Sequence, residues 1–395
     1  MSGALAGLRV LELGQYTSAP FAARMLALLG AEVIKLEPIT GDDMRNWAPT
    51  IAGEGYFFHL NNSNKKSVTL DFKHPRGAEL LWRLIEHTDV LVENFGPGTL
   101  ARNGFGYDAV NARRPSIVYC SVKGFGSTGA LAAKPAFDTI IQAYGAMMAT
   151  TGPAGAPPLK AGISASDLLG ATSALARIVV AIYRQKTTGT GSFLDVSMYD
   201  ATGFATQTFW PPYLTGGDPA RATRQGNRHP LLAPHDVYAA RDGSVAIAVE
   251  TDAQWRALAQ LTGGHELAAD PRYASAEARR AHADELDRSV APWAGARSVA
   301  AVVTACRDAG VPAAPVLELA DAIEQPHARE RESLRSAPFR GGEIRLTQLP
   351  LRFSESTTPA PEPIGPLGCD NDAVYGTLLG LSANEIADLR AARVI

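Results

Sequence analysis

Cysteine is scarce in this chain, charge is nearly balanced, and long apolar runs are missing. Only Cys120, Cys306 and Cys369 occur among 395 residues. They are odd in number and far apart, which argues against a disulfide framework and against a Cys-x-x-Cys metal site, and a reducing compartment is expected. The formal net charge is -3. A nucleic-acid binder needs a clustered basic excess; here the densest basic clusters, Lys65-Lys66 and Arg113-Arg114, are pairs, expected on solvated faces. No window reaches the roughly 18 apolar residues of a membrane helix, and the first residues lack a basic region followed by an apolar run. No nucleic-acid partner, no membrane partner and a cytoplasmic location are therefore expected.

One motif is missing from its place between the first strand and helix, and two others are absent. Where a dinucleotide-binding GxGxxG would stand, the sequence reads Gly14-Gln-Tyr-Thr-Ser-Ala-Pro20. Neither HExxH nor the nucleophile-elbow GxSxG occurs. The eight histidines are scattered; His229 and His235 are the one close pair and read as polar loop residues, so no metal site is expected.

What is present is the composition of a soluble globular protein, 46% hydrophobic and 19% charged. The length suggests two or three domains. Leu8 to Leu13 reads as a strand, Phe21 to Leu29 as a helix ended by Gly30, and Glu32 to Leu36 as the next strand. The alternation continues with a helix over Ala78 to His87, a strand over Val90 to Glu93, a turn at Gly96-Pro-Gly98 and a strand over Ser116 to Val122. An α/β fold with a Rossmann-like open parallel sheet follows. A long apolar helix is expected from Leu168 to Gln185, then a strand over Phe193 to Ser197. Periodicity fades from Phe209 to Pro234. Beyond it, a hairpin over Val237 to Val249 and helices over Asp252 to Leu261, Ser275 to Trp293 and Val299 to Ala309 indicate a smaller α/β domain. Short extended pieces around Glu343 to Phe353, a proline-rich connector from Thr357 to Pro363 and a helix over Asn384 to Arg393 close the chain. The expected organisation is a large domain over 1–200 completed by 340–395, a linker over 201–226, a small domain over 227–317 and a return linker over 318–339.

One residue stands out. Asp167 is the only charged side chain between Lys160 and Arg177. Its plain reading is a first-turn carboxylate favoured by the helix dipole and kept ionised there, with Ser164 or Ser166 as cap. The chemical reading is a nucleophile with open space above it, left by Ala165, Ser166, Gly170 and Ala171.

Ordered along the chain, several segments resemble the class III CoA-transferases, the CaiB/BaiF family of formyl-CoA transferase and carnitine CoA-transferase. They are Leu8 to Leu13, Leu29-Gly-Ala-Glu-Val-Ile-Lys-Leu-Glu37, Gly41-Asp-Asp-Met-Arg45, Asn64-Lys-Lys-Ser67, Leu70-Asp-Phe-Lys73, Val92-Glu-Asn-Phe-Gly-Pro-Gly98, Ser121-Val-Lys-Gly-Phe125 and the Asp167 segment. The resemblance implies that Asp167 attacks an acyl-CoA thioester to give an aspartyl-acyl anhydride and then an aspartyl-CoA thioester. It also implies that Leu70, Asp71, Phe72, Lys73, Asn94, Phe95 and Arg102 hold the nucleotide end of CoA, and that Tyr16, Thr17, Phe137 and Gly226 lie around the reacting centre. Without it, Lys73 reads as a solvated loop charge and Phe95 as a core aromatic. Coenzyme A enters as the acyl-CoA substrate; no permanently bound cofactor is expected. A small carboxylic acid is the other substrate, and an interlocked homodimer is implied.

The sequence departs from formyl-CoA transferase in three places. Pro38 stands where that enzyme has an arginine, Thr17 where it has a glutamine, and Gln225-Gly-Asn-Arg228 where it has a run of glycines, with Gly216-Gly217 upstream. The racemases of the same fold carry a histidine within the stretch matching Pro135 to Asp138, where Phe137 stands and cannot shuttle a proton. Acyl-CoA racemization and non-catalytic CoA binding are the alternatives.

Overall fold

The computed structural model describes residues 3–216, 219–354 and 358–395. Gly217 and Thr357 fall outside them. The chain divides into two compact units, one formed by Met1–Tyr144, Gly162–Thr202 and Ile323–Ile395, the other by Gly145–Ala161 and Gly203–Ala322.

The first unit is built on a six-stranded sheet of β1 (Arg9–Leu13), β2 (Glu32–Glu37), β3 (Lys65–Thr69), β4 (Val90–Glu93), β5 (Val118–Lys123) and β6 (Ser192–Ser197). Their order is β3-β2-β1-β4-β5-β6, and every pairing is parallel. Parallel strands need crossovers, and these cover both faces. Helices α1 (Ser18–Leu28) and α4 (Ala165–Thr188) lie on one face, α2 (Pro75–Glu86), α3 (Tyr107–Arg113) and the C-terminal α8 (Ala383–Ala391) on the other. Neighbouring strand residues point to opposite faces, so Val10 joins the α1/α4 core while Leu11 joins the α2/α8 core. Burial on both faces explains why the strands read as unbroken apolar runs.

α1 starts three residues earlier than its apolar pattern because Pro20 falls in the first turn, where its missing N–H has no helical partner. α4 is longer at both ends than expected and stops at Gly189, whose φ of 74° is the left-handed conformation glycine adopts freely. Contrary to the sequence reading, α4 is long and apolar enough to cross a membrane by length and composition. Ala171, Ala174 and Ile178 bury one side of it in the sheet core, while Val180 and Tyr183 are exposed. The small residues near Asp167 also serve packing rather than open space: a side-chain carbon on Gly170 would lie 2.8 Å from Met198 Cγ. Lys65, expected on a solvated face, is buried; Lys66 is half-exposed on Glu32. β10 (Leu334–Phe339) and β11 (Gly342–Thr347) add a hairpin to this unit.

In the second unit, β7 (His235–Ala240) and β8 (Gly243–Ala248) form the expected hairpin, with β9 (Ala313–Pro315) antiparallel to β8. Helices α5 (Asp252–Ala269), α6 (Ala283–Gly295) and α7 (Val299–Asp308) accompany the sheet. The single helix expected from Ser275 to Trp293 is two, Ala276–Ala281 and α6. His282 leaves helical geometry, and Asp284 and Glu285 suit a new helix start. The aperiodic stretch after Phe209 contains a short helix, Trp210–Leu214.

Candidate active site

Strand order reverses between β1 and β4. The loops leaving their carboxyl ends run apart, and the crevice between them is where open α/β sheets bind ligands. A cavity of about 240 Å³ lies there, lined by the loops after β1 (Gln15 to Ser18), β4 (Asn94 to Pro97) and β5 (Val122 to Phe125), by Lys134 to Phe137, and by Asp167.

The loops are fixed by side chains beneath them. Asn94 accepts a hydrogen bond from Gln15 N–H (3.0 Å) and donates to Gln15 O (2.8 Å) and Ser18 Oγ (3.1 Å), so it clamps the β1 and β4 loops together. Its side chain is thereby part of the scaffold that shapes the cavity, which it also lines. Phe95 is held at both backbone groups: its N–H donates to Glu93 Oε2 (2.9 Å) and its carbonyl accepts from Lys123 Nζ (2.6 Å). Below β1, buried Lys35 donates to Gly14 O (2.8 Å) and Lys65 donates to Pro20 O (2.8 Å), so the loop is gripped at each end. Glu12 joins the two lysines, 3.1 Å from Lys35 Nζ and 2.6 Å from Lys65 Nζ. Tyr16, between those grips, has a φ of 63° and donates its hydroxyl to Asp43 (3.1 Å).

Asp167 is in the first turn of α4, but neither serine caps the helix. Ser164 makes no capping bond with its side chain, and Ser166 Oγ accepts from Thr202. The cap comes from Asp138, whose Oδ1 accepts from Ser166 N (2.8 Å) and Asp167 N (3.4 Å), while its Oδ2 accepts from Gln142 Nε2 (2.7 Å). The consequence reverses the expectation of a carboxylate kept ionised. Burial, reinforced by the charge of Asp138, pushes the Asp167 carboxyl up to about 7, and no cation is paired with it among the described residues. A carboxylate desolvated in this way, beside a cavity, is a reactive oxygen nucleophile once it loses its proton.

The other expected site residues divide into groups. Thr17 and Phe137 line the cavity with Tyr16, and the Tyr16 and Phe137 rings meet edge to face at 6.0 Å. Gly124 permits this approach, since a side-chain carbon there would sit 2.4 Å from Ala136 Cβ. Phe72 lies 6.0 Å from Phe95, ring to ring, so these two aromatics do come together. Lys73 is exposed nearby in sequence, and Asp71 accepts from Lys73 N–H (3.0 Å). Arg102 is exposed and donates to Pro97 O (3.0 Å). Leu70 is buried in the α2/α8 core, which leaves its side chain out of any ligand's reach. Gly226 belongs to the second unit, has a φ of 69° and donates to Gly152 O (3.0 Å). Among the described residues no group of three His, Cys, Asp or Glu side chains could hold a metal ion. Asp138, Glu93 and Lys123 carry no role in the sequence reading; the one signal for Asp138 is an acidic residue opening a helix next to Phe137.

Residues 5–371 match the family CoA-transferase family III. The chain is 36% identical to a succinyl-CoA–D-citramalate CoA-transferase of Chloroflexus aurantiacus, over 98% of this chain and 97% of that one. It is also 36% identical to an acetyl-CoA:oxalate CoA-transferase of Acetobacter aceti, over 92% of each. A crystal structure of a CaiB/BaiF family protein from Brucella suis superposes with a TM-score of 0.83 at 31% identity, covering 96% of this chain and 100% of that one.

Proposed function

The chain belongs to CoA-transferase family III, and from that membership we propose that this CoA-transferase moves CoA from an acyl-CoA to a free dicarboxylic acid through intermediates on Asp167. The observation that carries the reading is a carboxylate at the switch-point cavity with no paired cation among the described residues. An Asp167 oxygen attacks the thioester carbonyl carbon, the C–S bond breaks, and CoA thiolate leaves a mixed anhydride. The thiolate then attacks the Asp167 side-chain carbonyl and expels the donor's acid, leaving an aspartyl-CoA thioester. The acceptor carboxylate attacks that thioester, thiolate leaves again, and its attack on the acceptor's acyl carbon restores Asp167. A carboxylate suits this sequence because an anhydride conserves the activation of a thioester, which an ester to serine would not. Water must be kept away from both intermediates.

Dicarboxylic acids are favoured because citramalate and oxalate, in the names of the two relatives, both carry two carboxylates. Phe72, Phe95, Lys73 and Arg102 suit the nucleotide end of CoA, the aromatics for adenine and the cations for phosphate. The reading includes a homodimer, for which the exposed apolar residues Val180 and Tyr183 of α4 offer a surface, and a cytoplasmic location, in keeping with three unpaired cysteines. The test incubates succinyl-CoA or acetyl-CoA with a panel of acids and detects new CoA thioesters by mass. Exchange into dicarboxylic acids is expected; no exchange into any acid overturns the reading.

A further inference from the structure

Two cations line the cavity that Asp167 borders, Lys123 and Lys134. They are in opposite situations. Lys123 is neutralised, its Nζ lying 2.6 Å from both Glu93 Oε2 and Phe95 O. Lys134 is exposed and has no carboxylate partner among the described residues. Its ammonium reaches the Tyr144 hydroxyl only at 3.5 Å and stands 5.8 Å from the centre of that ring. An aromatic face attracts an ammonium but leaves its N–H groups free for an anion. The base of this lysine is fixed: its backbone N–H donates to Leu131 O (2.9 Å), Pro135 follows it, and Ala136 is packed close against Gly124. Tyr144 is braced in turn, edge to face at 5.1 Å against Phe125. The cavity thus presents a carboxylate for the reacting carbon, the Tyr16 and Phe137 rings for a hydrocarbon segment, and one cation without a counter-ion.

We propose that Lys134 reads the distal carboxylate of the acyl group and so is a specificity-determining residue for dicarboxylic over monocarboxylic substrates. The assignment rests on the reading of this cavity as the site of acyl transfer. An anion at Lys134 has two possible sources, the acyl group's second carboxylate or a phosphate of CoA. They separate by changing the acyl group while CoA stays the same.

The test compares wild type with Lys134→Met and Lys134→Arg, using succinyl-CoA and butyryl-CoA as donors and one accepted acid of the exchange panel as the common acceptor, so that only the donor's acyl group varies. Lys134→Met is expected to raise KM for succinyl-CoA about tenfold, the scale of one partly exposed charge-assisted hydrogen bond. Turnover is kept and butyryl-CoA is unaffected, while Lys134→Arg restores the preference. An equal rise for both donors would move the anion to CoA phosphate and overturn the assignment, as would no change for either. Wild type that turns over neither thioester would instead fail the CoA-transfer reading and take Lys134 with it.

Discussion

Glu12 and Asp167 are two carboxylates in the interior of one unit, and their surroundings are opposite. Glu12 is fully buried between the ammonium groups of Lys35 and Lys65, each within about 3 Å. Asp167 faces a second carboxylate, Asp138, with no cation paired to it among the described residues. Compensation makes the first a scaffold: the lysines that neutralise Glu12 also hold Gly14 and Pro20, and so set the loop over the cavity. Lack of compensation gives the second a raised proton affinity and suits it to the nucleophilic role proposed for it. Burial alone therefore does not mark a functional acid; the partner's sign does.

The comparison breaks most directly when both carboxylates undergo the same chemical change. Asp167→Asn should lower turnover at least about a thousandfold, because an amide is a very poor nucleophile. It should also stabilise the fold. A carboxyl raised to about 7 binds its proton more tightly folded than unfolded. Its stabilising contribution is present below the unfolded value near 3.8 and is lost as pH rises through about 7. Denaturant titrations should accordingly show Asp167→Asn more stable than wild type at pH 8, by on the order of 3 kcal/mol, with the gap narrowing toward pH 5.

Glu12→Gln should act with the opposite sign. Removing the charge between two buried lysines is expected to cost about 3–5 kcal/mol, read from the same titrations. Equal signs for the two substitutions would end the distinction between scaffold and site. A smaller effect sharpens it: Asn94→Ala releases the clamp between the β1 and β4 loops without touching either carboxylate, and kcat/KM should fall about tenfold for every donor, as expected from displacement of a cavity wall. An Asn94→Ala enzyme at full efficiency would remove the clamp from the account.

Much of the fold is legible in the chain. The apolar strand runs and the glycine stops lead to the parallel sheet, while the isolation of Asp167 among uncharged neighbours marks the residue and the family resemblance supplies its proposed role. The chemistry around Asp167 is not legible, because it depends on a residue 29 positions away. Asp138 takes the capping role that local serines suggest, and with it raises the proton affinity of the acid it caps. Lys65 is misread for the same reason: Lys65-Lys66 looks like a solvated pair, yet strand alternation turns one side chain to Glu12 and the other to Glu32 at the surface. Gly170 and Ala171 suggest open space, whereas the space comes from loops that neighbouring strands contribute.

The central claim is that the uncompensated carboxylate becomes covalently acylated. The direct measurement mixes the protein with its acyl-CoA donor across pH 5 to 9, traps with borohydride or hydroxylamine, and determines the mass of the peptide containing Asp167. The account predicts an alcohol or hydroxamate on Asp167, absent in Asp167→Asn, with a yield that rises with pH through about 7. A label on Asp138, or no label while CoA exchange proceeds, would contradict it.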